Sequence, residues 1–271
     1  FLKEGDAVII DLRRNGGGSP QAVQHMISHF MEAERPLVTF YMNGEPSPDR
    51  LSTLRDLPVG RFVGKPLYVL VSGSTASAAE EFAGHVAGYR LGELVGENTA
   101  GAGFRNEVLP INGGFLFSVS VGRAVLASTG KDWEAVGHAP TIAVPVGNAL
   151  DAAHAHALRR IAAAAPAGDR ARFEALADSL AARSERRAAA LPFAAYAGAY
   201  GERTISVEGD RLFYQRATRP REPLIALGGN RFMFESDPTT VVEFMPSGTR
   251  VTAITVGTAG GPVQGRYERT Q

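Results

Sequence analysis

The sequence predicts an α/β core, then a helical linker and a small antiparallel β-barrel-like or sandwich module. Three observations carry that expectation. Between about residues 6 and 145, short β-branched runs alternate with helical patterns. Two of those runs, Val8-Ile9-Ile10 and Tyr68-Val69-Leu70-Val71, are almost continuously apolar and lead into a turn and a helix, as buried strands of α/β proteins do. From Phe193 to Gln271 the pattern changes to short alternating strands punctuated by glycine, proline and aspartate.

Phe1 to Gly5 reads as a helix end with a glycine stop, so the chain is expected to begin inside a domain, with an N-terminal part of the core missing. Strands are predicted at Ala7 to Asp11, Leu37 to Tyr41, Leu67 to Ser72, Leu94 to Gly96 and Phe115 to Val121. Helices are predicted at Pro20 to Ala33 and Ser77 to Tyr89. Residues 147–191, rich in alanine and arginine and broken at Pro166-Ala167-Gly168, read as two linker helices. The terminal module, residues 193–271, takes strands at Thr204 to Val207, Arg211 to Gln215, Arg231 to Phe234, Val241 to Met245 and Val251 to Thr255. The core is thereby bounded at residues 1–146.

Lysine plus arginine equals aspartate plus glutamate, 28 against 28, so no net field favours nucleic acid or an anionic membrane. The chain has no cysteine, which excludes disulfides, thiol catalysis and thiolate metal sites without fixing a compartment. No stretch approaches the roughly 18 consecutive apolar residues of a membrane span. Neither a cofactor nor a metal is implied. His25 and His29, four apart on one predicted helix, read as surface residues.

Two strand-to-helix turns hold the candidate chemistry, both at carboxyl ends of buried strands, where sites of open α/β sheets collect. In Asp11-Leu12-Arg13-Arg14-Asn15-Gly16-Gly17-Gly18-Ser19-Pro20, the glycines permit either a tight turn or a close approach of backbone amides to an anion. The glycine spacing and the absence of a Gly-Lys-Ser/Thr ending disfavour a phosphate loop. In Ser72-Gly73-Ser74-Thr75-Ala76-Ser77-Ala78-Ala79-Glu80, Ser77 and Glu80 fit a capping box. The same geometry would present a serine oxygen to a cleft beside amides able to stabilise an oxyanion. Ser72, Ser74 and Thr75 are rivals to Ser77 on these grounds.

Asp11 to Pro20 and Thr75 to Phe82, with Gly96-Glu97-Asn98-Thr99-Ala100-Gly101-Ala102-Gly103 and Trp133-Glu134-Ala135-Val136-Gly137-His138-Ala139-Pro140, occur in the order found in C-terminal-processing (tail-specific) serine peptidases. The chain resembles that family over about residues 1–160, and most of all its branch related to interphotoreceptor retinoid-binding protein and tricorn protease. The resemblance implies a ββα core of the ClpP and crotonase type. It places the nucleophile on Ser77 and the oxyanion donors on the amides of Ala78 and Gly17. It also implies a polypeptide substrate and a periplasmic or secreted location.

Ala102 stands where the Ser-Lys branch carries its lysine, and an alanine takes no proton from a hydroxyl. The tricorn-like pattern instead uses a histidine upstream of the nucleophile domain and a downstream glutamate, for which Glu134 is the candidate. Among the histidines present, His138 is the best placed base, because it follows Glu134 closely. The competing expectation is an inactive member of the same fold that binds a lipid, retinoid or peptide.

Overall fold

The computed structural model describes residues 3–185 and 187–270. The chain divides into two compact units, residues 1–153 and 154–271.

The first unit holds two four-stranded sheets and two helices. The parallel sheet has the order β1-β4-β5-β8, built from Val8–Asp11, Leu67–Val71, Glu93–Gly96 and Ile142–Ala143. All five residues of β4 are buried, as expected for an inner strand with both faces covered. The second sheet is antiparallel, in the order β3-β2-β7-β6, from Asp49–Ser52, Pro36–Met42, Phe115–Leu126 and Phe104–Ile111. Helices α1 (Pro20–Ser28) and α2 (Ala78–Gly88) contribute Val23, Ile27, Phe82, Ala83 and Val86 to the core, with Leu67, Val69, Leu94 and Leu126 from the strands.

Helix α1 ends at Ser28, short of the predicted Ala33. Its last carbonyls are captured from outside the helix: Arg61 Nη1 donates to Ser28 O and Met31 O, and the Phe62 amide donates to His29 O at 2.8 Å. Apolar periodicity continues through Phe30 and Met31, but those side chains reach the core from a turn. Of the predicted helix end at Phe1 to Gly5, Phe1 and Leu2 lie outside the described residues, and Lys3 to Asp6 form a turn and bend.

Strand β7 runs to Leu126, five residues beyond the predicted Val121. Only Gly122 to Leu126 of β7 pair with β2, whereas Phe115 to Arg123 pair with β6. The outer stretch is therefore a two-stranded ribbon, exposed along all of β6, with Phe115, Leu116 and Phe117 also largely in solvent.

The second unit holds most of α3 (Ala149–Ala164), then α4 (Ala167–Ala182), the short α5 (Phe193–Tyr196) and a closed eight-stranded barrel. Leu158, Phe173, Leu176 and Leu180 pack between α3 and α4. The barrel strands are β9 (Gly198–Tyr200), β10 (Arg203–Glu208), β11 (Arg211–Arg216), β12 (Glu222–Gly228), β13 (Arg231–Phe234), β14 (Thr240–Ser247), β15 (Arg250–Thr258) and β16 (Val263–Thr270). Closure of β16 onto β9 removes the sheet edges. Among the described residues, no helix is long and apolar enough to cross a membrane.

Candidate active site

The carboxyl ends of β1 and β4 are stitched together by hydroxyls. Thr75 Oγ1 donates to Leu12 O at 2.8 Å and accepts the Ser72 amide at 3.0 Å, while Ser72 Oγ donates to Arg13 O at 2.7 Å. Both side chains are buried, and both hydroxyls are committed to holding the two turns against each other. The Ala76 amide adds a bond to Asn15 O at 3.1 Å. Two of the three rivals to Ser77 thus have structural duties, and the third, Ser74, is exposed.

Ser77 is half-buried and caps the start of α2 with φ 54° and ψ −122°. A non-glycine residue holds such a conformation only where its surroundings over-determine it, at a cost of about 1–3 kcal/mol. Its amide donates to Glu80 Oε2 at 3.0 Å, the carboxylate half of the expected capping box. The next amide, that of Ala78, is one of the orphan donors of the helix start.

Gly17 abuts this turn. A Cβ on Gly17 would lie 2.7 Å from Ser77 Cβ and 3.1 Å from its Oγ, and the residue holds φ 113°, so space and backbone both demand glycine. The structure thus brings Ser77, Ala78 and Gly17 together. The Gly17 amide itself donates to Asn15 Oδ1 at 3.0 Å, a partner that sequence reasoning missed.

The largest unexpected role belongs to Glu80, which is fully buried on α2. Besides the Ser77 amide, its carboxylate accepts Thr99 Oγ1 at 2.6 Å, the Gly101 amide at 2.7 Å and the Ala102 amide at 2.8 Å. One side chain thereby fixes the Thr99 to Ala102 loop to the serine turn.

Glu134 performs a parallel service for the next two residues of that loop. Its Oε2 accepts the Gly103 and Phe104 amides at 2.7 and 2.9 Å, so its carboxylate anchors the entry to β6. The loops carrying Thr99 and His138 also pair directly, through Thr99 N to His138 O at 3.2 Å and His138 N to Thr99 Oγ1 at 2.7 Å.

The His138 ring packs on the middle of α2, where a Cβ on Gly84 would meet Nε2 at 2.7 Å. Gly84 lies two turns along α2 from Ser77, about 10 Å at 1.5 Å per residue. His138 Nε2 is buried without a hydrogen-bond partner and so makes no bond to Ser77 Oγ. Burial holds its pKa below the ordinary 6.5, outweighing the opposing pull of the nearby Glu80 carboxylate.

The unfolded chain accordingly takes up a proton at this position first as pH falls. The stability contributed by a neutral His138 is complete above about pH 6.5 and is lost as pH drops through the depressed folded value. Urea unfolding of the parent and His138→Asn between about pH 7.5 and 5.5 should show a shallower pH slope in the variant. Equal slopes would remove His138 from the pH response.

Elsewhere, Arg13 forms a two-point ion pair with Asp11, Nε to Oδ1 at 2.9 Å and Nη2 to Oδ2 at 2.7 Å, which holds the Asp11 carboxyl below its usual range. A third Arg13 bond reaches Val146 O at 2.9 Å. An open groove of about 1060 Å³ runs along this rim, past Arg14, Asn15, Ser74, Glu97 and Gly147. His25 and His29 meet edge to face, and His29 stacks on Phe62, with no cluster of three or more metal-binding side chains among the described residues.

Among curated proteins, this chain is 31% identical over 127 residues to the carboxyl-terminal-processing protease of Synechocystis sp. (strain ATCC 27184 / PCC 6803 / Kazusa). That match covers 44% of the chain and 26% of the relative. Carboxy-terminal processing protease CtpB of Bacillus subtilis (strain 168) is 26% identical over 142 residues, covering 52% of the chain and 28% of the relative. The chain thus spans little more than a quarter of each. The solved photosystem II D1 C-terminal processing protease is 26% identical over 52% of this chain and 35% of its own, with a TM-score of 0.41. The family model of peptidase family S41 matches residues 2–144, more than half of the sequence, and the chain belongs to that family.

Proposed function

We propose that this chain supplies the nucleophile half of a serine peptidase, in which Ser77 Oγ attacks a peptide carbonyl and forms an acyl-enzyme. The observation that carries the reading is the strained backbone of Ser77 at the start of α2, beside the free first amide of the helix and in contact with Gly17. Strain of this kind collects at reacting residues and holds a hydroxyl at the mouth of a turn. In the attack the serine proton passes to a base, the carbonyl oxygen takes the Ala78 amide, and the Gly17 amide joins it once Asn15 Oδ1 releases that donor. Collapse of the tetrahedral adduct breaks the C–N bond and expels the amine with a proton returned by the same base.

An alanine at position 102 takes no proton, and in this reading the base is, as in the tricorn-like pattern, a histidine upstream of the nucleophile domain. Glu134 then acts as a positioning residue, holding the Gly103 and Phe104 amides and thereby the rim of the site. The substrate is a polypeptide, and membership of the family favours a periplasmic or secreted location.

The alanine at position 102 equally favours a second reading, a member of the family that binds a lipid, retinoid or peptide without cleaving it. A fluorophosphonate probe separates the two. Applied to this chain alone and to the chain joined to any sequence encoded upstream, it should form an adduct on Ser77 in at least the longer form, and Ser77→Ala should abolish it. No adduct in either form would overturn the peptidase reading.

A further inference from the structure

The two ends of the barrel are built differently. At one end the strands join through the two-residue turns at 209–210, 229–230 and 248–249, and this end is plugged. Tyr196 of α5 sinks between Phe232 and Phe244, with ring centroids at 5.1 and 4.8 Å, and its hydroxyl donates to Asn230 Oδ1 at 2.8 Å. The Ala190 amide bonds Gly229 O at 2.7 Å and completes the seal.

The other end stays open. Arg203 at the start of β10, Tyr214 and Arg216 at the end of β11, Glu222 at the start of β12, Phe234 at the end of β13 and Tyr267 on β16 surround a cavity of about 340 Å³ at this mouth. Eight-stranded barrels are wide enough either to be filled by side chains or to hold one small ligand, and here the filling stops short. Its walls are aromatic, with the Tyr214 and Phe234 rings 5.0 Å apart.

The charge of the cavity is unbalanced. Three arginines, Arg203, Arg216 and Arg219, line it together with a single acid, Glu222. Arg203 is 8% exposed, its Nε has no hydrogen-bond partner, and no carboxylate of the described residues pairs with it. Its guanidinium lies 3.3 Å from the centre of the Tyr267 ring, which orients the cation without neutralising it. Arg203 and Arg216 are moreover direct cross-strand partners, a placement in which like charges repel. A buried, unpaired cation beside a second one is a costly arrangement that an anion would relieve.

We propose that the open mouth of the barrel binds a small amphiphilic carboxylate: its head paired with Arg203 and Arg216, its aryl or medium-chain acyl body against Tyr214, Phe234 and Tyr267. Arginine suits the head because its planar fork meets a carboxylate with two parallel bonds. The cavity is at the lower end of the size range for small-molecule sites, which favours a compact body. The site stands independently of any reaction at Ser77.

Calorimetric titration of the whole chain with decanoate and with naphthalene-2-carboxylate tests the assignment, against decanol and 2-naphthalenemethanol as uncharged counterparts. At least one carboxylate should bind saturably at one site with Kd below about 1 mM, and its alcohol at least about tenfold more weakly. Arg203→Gln should raise that Kd at least about tenfold. Because Arg203 is buried, far-UV circular dichroism must show the variant folded. If it is not, the exposed pair Arg216→Gln/Arg219→Gln decides the matter, and there Kd should rise at least about threefold. Failure of both carboxylates to bind, equal binding of the alcohols, or unchanged affinity in every folded variant would overturn the proposal.

Discussion

Glu80→Ala is expected to lower the unfolding free energy of the first unit by about 3–5 kcal/mol, the scale of breaking a buried hydrogen-bond network. Four donors lose their acceptor together: the amides of Ser77, Gly101 and Ala102 and the Thr99 hydroxyl. Each buried group left unsatisfied costs about 1–3 kcal/mol, and the sum is reduced by relaxation and entering water. Glu80→Gln should cost less, about 2–3 kcal/mol, because one oxygen still accepts while the new amide N–H confronts a backbone N–H. The single tryptophan, Trp133, is buried in this unit and reports its unfolding by fluorescence. A Glu80→Ala protein within about 1 kcal/mol of the parent in urea would show that the carboxylate does not hold the two loops.

Gly17→Ala should be nearly as damaging, and its damage is local to the reacting serine. The added methyl would stand 2.7 Å from Ser77 Cβ and 3.0 Å from Ala76 O, in a backbone conformation at φ 113° that alanine avoids. Stability should fall by about 2–3 kcal/mol, from strain and forced displacement of the turn. In whichever form of the protein the fluorophosphonate probe labels Ser77, the labelling rate should fall by at least about 100-fold, the scale of losing an oxyanion donor. Labelling at the parental rate would show that Gly17 takes no part in presenting the hydroxyl.

What could be read from the sequence divides by how local its cause is. Strand β4 announces itself because burial on both faces leaves a continuous apolar run, β1 carries the same apolar signature although it is an edge strand with only Val8 buried, and the glycines and serines before α1 and α2 mark the turns. Strands β3, β6 and β8 were not legible: β3 is polar, β6 contains Pro110 and buries nothing, and β8 has two residues. In the barrel, β9 has three residues and β12 begins Glu222-Pro223, a poor strand signal. Within the site, the Ser77 and Glu80 spacing revealed a helix cap. Three further bonds of Glu80 were hidden, because their donors lie about 20 residues away and meet it only through the tertiary fold. The duties of Ser72 and Thr75 were hidden for the same reason.

The β6–β7 ribbon divides one strand between two levels of cooperativity. A two-stranded ribbon with no packed face is marginal in water, whereas Gly122 to Leu126 of β7 are held in a four-stranded sheet. The outer amides can therefore exchange with solvent through openings that leave the sheet intact, while those of β4 wait for the unit to unfold. The boundary falls inside β7, near Gly122, where one continuous strand passes from a locally opening element into the rigid body of the fold.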